Sequence, residues 1–310
     1  MNKRKTIYRG FNKRRKKKTL RLILIMIPVI SIGTFGVIKL KNSDIVKSID
    51  EKISFFKSIN IKEDKFKGFE DFGIKEVSEE NNKEEVEKKV EKEEDENVEG
   101  DVKVAIADSW SLYTIQVASI DNENEMNKIE IKLNESNLPF SVIEVDGIKK
   151  VQTYSSFSKD SLRNNIDSVK KVFDDAFISE LKVPVLSMKY TSKYSYLGEL
   201  SKFLNELVSN FKLESEFWDK NNENIDVKEY KKILTDRKNI VDNMKKEADK
   251  IDYKPADLFK ENLIKYVDGL DEKINISMES IDKGEYSMVK SLYLSSMQGY
   301  YKFITSISKA

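Results

Sequence analysis

The chain has 310 residues, 35% charged and 39% hydrophobic, and its net charge of +1 conceals strong local segregation. Cys and His are both absent, which excludes thiolate nucleophiles, disulfides, Cys/His zinc sites, imidazole bases and every Ser-His-Asp triad. Carboxylate, Lys, Tyr and Ser/Lys chemistries remain, on a chain long enough for roughly two domains.

Residues 1–19 form a basic tail: Lys3, Arg4, Lys5, Arg9, Lys13, Arg14, Arg15, Lys16, Lys17 and Lys18, with no acid. Leu22 to Ile38 then runs without a charge, and with its edges predicts a transmembrane helix over 20–40, long enough for the bilayer core. The cationic flank predicts a cytoplasmic N-terminus and an extracytoplasmic remainder. No small-x-small cleavage site follows Ile38, against a removable signal peptide. The lipid bilayer is therefore an expected partner. The tail reads as a topology signal with anionic-lipid contact rather than a nucleic-acid site.

Residues 41–109 read as stalk and spacer. Ile45, Ile49, Ile53 and Phe56 recur at helical spacing, a short amphipathic helix. From Lys75 to Asp101 acids dominate, aromatics are absent and large apolar residues are few. Such a stretch cannot bury enough surface to offset its ordering entropy.

Ordered pattern resumes over 110–190. Tyr113 to Ala118 alternates as a strand, and Asp121 to Ser136 carries Met126, Ile129 and Leu133 at helical spacing. Pro139 to Val145 and Ile148 to Tyr154 read as strands joined by the turn Asp146-Gly147. Ser158 to Phe173 places Leu162, Ile166, Val169 and Phe173 on one helical stripe, and Phe177 to Val183 closes as a strand. The order β-α-β-β-α-β is the ferredoxin-like split βαβ pattern. With both helices on one side, alternation sends Tyr113, Ile115 and Val117 toward them. Thr114, Gln116 and Ala118, with Lys150, Gln152 and Tyr154, then occupy an open side.

The segments YTIQVASI, KKVQTYSSF and AFI, set in this order of elements, are similar to the SPOR (sporulation-related repeat) domain. The likeness covers about a quarter of the chain. It implies binding to bacterial peptidoglycan glycan strands, with preference for strands stripped of stem peptides, in cell division or sporulation. Residue by residue, the family's strand-one Gln falls at Gln116 and the following Ser at Ser119. The third-strand aromatic falls at Ile148, the third-strand basic residue at Lys150 and a fourth-strand aliphatic at Ile178. Gln152 joins them from the open-side reading. Tyr154-Ser155-Ser156-Phe157 carries one residue more than the family's usual run. An adaptor or sensor of the same topology, binding a protein or small molecule, is the alternative.

From 195 to 310 the period becomes helical. Leu197, Leu200, Leu204, Leu207 and Phe211 form one stripe. Val227 to Ile251 forms a second, interrupted at Arg237, and opens with an Asp226/Glu229 capping pair. Pro255 starts a third helix, and Val289 to Ile307 marks a last. Four such helices predict an up-down bundle available to an envelope protein partner. Paired acids, Asp174/Asp175 and Glu214/Glu216, raise a glycosidase idea, but they stand among many solvated acids. No catalytic residue, metal or cofactor is assigned.

The whole reads as an α+β chain: one N-terminal span, a SPOR-like module and an all-α bundle.

Overall fold

The structure, a computed structural model, describes residues 101–221 and 224–308. The basic tail, the transmembrane helix predicted over 20–40 and the spacer up to residue 100 lie outside the described residues. Among the described residues no helix is long and apolar enough to cross a membrane.

The described chain is α+β, with a β-rich region followed by helices. Its elements are β1 (Lys103–Ala107), β2 (Trp110–Ile120), α1 (Glu123–Glu135), β3 (Phe140–Val145), β4 (Ile148–Ser156), α2 (Arg163–Lys170), β5 (Phe177–Val183) and β6 (Leu186–Tyr190). The helices α3 (Tyr196–Lys220), α4 (Val227–Asp249), α5 (Asp257–Asp282) and α6 (Tyr286–Ser308) follow. Four strands form an antiparallel sheet in the order β3-β4-β2-β5, and β1 pairs with β6 in a separate two-stranded sheet.

Local chemistry explains the boundaries. Asn122 caps α1, its side chain accepting from the Glu125 amide at 2.9 Å. Asp226 caps α4 in the same way through the Glu229 amide at 2.9 Å. These contacts satisfy amides that have no partner within the helix. At the β3–β4 hairpin Asp146 and Gly147 both take positive φ, 53° and 76°. That is the requirement of the tight turn whose twist matches a strand pair.

The apolar alternation of β2 and β4 is used on both faces of the sheet. Ile115 and Val151 pack with Met126 and Leu133 of α1 and Leu162 and Val169 of the α2 segment. On the other face Trp110, Leu112, Ile143, Leu181 and Val183 join the bundle core, among Leu200, Tyr293, Tyr300 and Phe303. The sheet is thus the middle layer between a helix pair and the bundle. The ribbon of β1 and β6 contributes Ala105, Ala107, Leu186 and Met188 to the same core. Its approach to α3 is close: a Cβ on Gly198 would stand 2.6 Å from the Tyr190 hydroxyl oxygen.

Two expectations change here. The sequence predicts a spacer up to residue 109, yet Lys103–Ala107 is a paired strand. And the boundary between modules is not a break in packing, because one apolar cluster takes residues from Ala105 to Ile307.

Candidate functional site

Strand register decides which predicted site residues share a surface. Gln116 stands opposite Gln152 on β4 and opposite Phe177 on β5, and Ser119 stands opposite Lys150. A β-bulge between Gln116 and Ala118 inserts one residue and restores Ser119 to the face of Gln116. The Gln116 Nε2 donates to the Ser119 Oγ at 2.8 Å. Ile148, Lys150 and Gln152 alternate onto that face along β4. Five of the six residues, Gln116, Ser119, Ile148, Lys150 and Gln152, are brought together.

Ile178 is not. It packs with the Ile115 cluster beneath α1 and α2, because residues of β5 two apart from Leu181 and Val183 face the bundle and Ile178 has the opposite parity. Tyr154 also leaves the expected side. Thr114 pairs with Ser155 and Ile115 with Thr153, so Tyr154 is skipped, with φ at 46°. The extra residue in Tyr154–Phe157 is absorbed by this second bulge.

The larger correction concerns the open side itself, which α6 covers across much of its area. The Ser141 Oγ donates to the Gln298 Oε1 at 2.6 Å, and the Gln298 Nε2 donates to the Gln152 Oε1 at 2.8 Å. Gln152 in turn donates to the Ser179 Oγ at 3.2 Å, and the Phe140 amide donates to the Ser291 Oγ at 2.9 Å. Gln152 is fully buried and its polar groups are spoken for within the chain. Alternation reveals which side chains share a face, but not whether water or a helix satisfies them. Lifting α6 would expose Leu112, Ile143, Leu181 and Val183. At about 1.5–3 kcal/mol each, these four alone cost about 6–12 kcal/mol, the scale of a whole domain's stability. The helix is a permanent layer, not a lid.

One end of the face stays uncovered. Ile148 is 49% exposed and Phe177 53%, Ser119 is exposed and Lys150 half-buried. Gln116, 6% exposed, lies between them. Phe177 and Ile148 sit two strands apart and four residues out of line, so the patch spans roughly 10 by 13 Å. Polar donors flanked by flat apolar surface suit a sugar chain, which offers hydroxyls and amides beside C–H faces. Phe177 was legible only as the start of a strand. Its pairing with Gln116 places an exposed aromatic ring on the strand beside that residue.

The acids raised as a catalytic idea are placed differently from one another. Asp174, Asp175 and Glu216 are exposed. Glu214 is fully buried, 2.5 Å from the Arg237 Nη2, and accepts from the Tyr230 hydroxyl at 2.5 Å and the Trp218 Nε1 at 3.2 Å. Arg237, which breaks the apolar stripe of α4 in the sequence, lies inside the bundle with this carboxylate. Among the described residues no cluster of carboxylates is arranged to hold a metal ion.

No protein-family model matches the chain, and no curated protein or solved structure is found to be similar to it.

Proposed function

We propose that this is a non-enzymatic, membrane-anchored cell-envelope protein that binds peptidoglycan glycan strands through the uncovered end of its sheet, in cell division or sporulation. The observation that carries the reading is the convergence of Gln116, Ser119 and Lys150 between exposed Ile148 and Phe177. The ferredoxin-like order of elements and strands, and the likeness of the β2 and β4 segments to the SPOR domain, support it. So does the cationic tail before an uncharged run, which favours single-pass insertion with the C-terminal part outside the cytoplasm. In this reading the covered half of the face serves folding and only the corner binds. Ile178 and Gln152 drop out of the contact set.

The bundle already docks one partner, the sheet of its own chain, so an envelope protein partner would use the outer surfaces of α3 to α5. The test is co-sedimentation of the detergent-solubilised full chain with purified sacculi, before and after amidase removes stem peptides. Enriched recovery on stripped sacculi is the expected result. Equal and negligible recovery from both removes the glycan assignment.

An adaptor reading has one observation in its favour. Val102, Val104 and Ile106 lie in a row on the outer face of the ribbon strand β1 and the residue before it, each about half exposed. Cross-linking in cells that captures one protein at these positions, with no sacculus binding, would select it.

A further inference from the structure

A second recess lies away from the sheet corner, between the bulge of β4, helix α2 and the ends of α3 and α6. Its walls include Tyr154, Ser155, Asn165, Trp218, Asp219 and Lys290. Its volume is about 40 Å³, room for roughly three water-sized groups. We propose that this recess is a binding site for a small carboxylate group, held by the Lys290 ammonium and by hydrogen-bond donors of the β4 bulge and α2.

Three features converge on it. Lys290 is half-buried, and its ammonium lies 4.8 Å from the centre of the Trp218 ring. Among the described residues it has no ion pair and no hydrogen bond. Burial holds it below the ordinary lysine value, an effect that the nearby Asp219 charge only partly offsets. A bound anion would remove that penalty. Tyr154, at the wall, adopts φ 46°, a left-handed conformation that a bulky side chain adopts at a cost. Tyr154 lines the recess together with Asn165 of α2. Finally, Ser155 and Asn165, which carry a hydroxyl and an amide, line the same small volume. An ammonium, a hydroxyl and an amide supply donors enough for two carboxylate oxygens. Asp219, on the rim of the recess, is exposed, so its carboxylate is the group a ligand must displace from beside Lys290.

The site differs in place and chemistry from the glycan corner and does not depend on it. The probe is sodium acetate, titrated into the detergent-solubilised full chain at ionic strength held constant with sodium chloride. The readout is the thermal unfolding midpoint, which a ligand of the folded state raises in a saturable way. Wild type should show a saturable rise and Lys290→Met none. Asp219→Asn, which removes the competing carboxylate, should bind acetate about two- to five-fold more tightly, the scale of one exposed ion pair. Should Lys290→Met not fold, Asn165→Leu provides the same comparison from the opposite wall. A non-saturating response in wild type, or an equal rise in both wall variants, overturns the proposal.

Discussion

Arg237→Met places the sharpest demand on the bundle's interior. Arg237 and Glu214 are each almost wholly buried and 2.5 Å apart. The Arg237 Nε also donates to the Asn210 Oδ1 at 2.7 Å, and its guanidinium lies 4.6 Å from the centre of the Phe211 ring. Methionine fills similar space against Phe211 but leaves the Glu214 carboxylate without a counter-charge and Asn210 without its donor. Removing one member of a buried pair costs about 3–5 kcal/mol. Glu214 retains the Tyr230 and Trp218 donors, which argues for the lower half of that range, about 3–4 kcal/mol. For a folded region of about 200 residues this corresponds to a fall of roughly 6–16 °C in unfolding midpoint. The double variant Glu214→Leu/Arg237→Met removes both charges but leaves the Tyr230 and Trp218 donors without their acceptor, so it should be more stable than the sum of its two single variants by at least about 1 kcal/mol without returning to wild type. Urea unfolding followed by far-ultraviolet circular dichroism measures all four species of the cycle. A single-variant loss below about 1 kcal/mol, or a double variant as unstable as the sum of its parts, would refute this account of the core.

Two further outcomes follow from the same structure. Gln298→Ala strands the Gln152 oxygen and the Ser141 hydroxyl under α6, and urea unfolding should show a loss of about 1–3 kcal/mol. Lys273, buried between α5 and α6 and donating to the Ser295 carbonyl at 3.2 Å, is lowered by burial to about 7. Its folded value lies below its unfolded one, so the unfolded chain binds more protons and stability rises with pH from about 7 toward 10.5. Lys290 is lowered as well, so the decisive quantity is the difference between wild type and Lys273→Met. The variant should lose a slope of up to about 1.4 kcal/mol per pH unit between pH 7 and 10. Identical slopes in urea midpoints would show that Lys273 is not desolvated as described.

Legibility in the sequence followed the range of the forces involved. The caps at Asn122 and Asp226, the Asp146-Gly147 turn and the four long apolar stripes are local signals, and each lies where residues a few positions apart decide the outcome. The alternation of β2 correctly assigned Ile115 to the helix pair and Gln116 to the far face. What failed was non-local. That face carries a polar ladder, Thr114, Gln116, Gln152 and Ser179, which water or a helix could satisfy equally well. Only Gln298, 146 positions beyond Gln152, decides for the helix. Ile178 entered through the resemblance alone, and pairing with Ile115 of β2 sets it on the helix-pair side. The strand β1 was hidden at the end of an acidic run, although Val102, Val104 and Ile106 alternate there. Arg237 looked like an interruption because its partner, Glu214, lies on another helix.

The account stands on the uncovered corner of the sheet, and one comparison reaches it directly. Phe177 and Lys150 are exposed or half-exposed, so replacing them leaves the core intact and should change stability by no more than about 0.5 kcal/mol. The measurement is the dissociation constant of the detergent-solubilised Phe177→Ala/Lys150→Ala double variant for amidase-stripped sacculi, set beside wild type and Gln298→Ala. The double variant should bind at least about ten-fold more weakly, a loss of about 1.4 kcal/mol, while folded Gln298→Ala binds like wild type. Unchanged binding by the double variant, or tighter binding once the Gln298 contact is removed, would contradict a site confined to this corner.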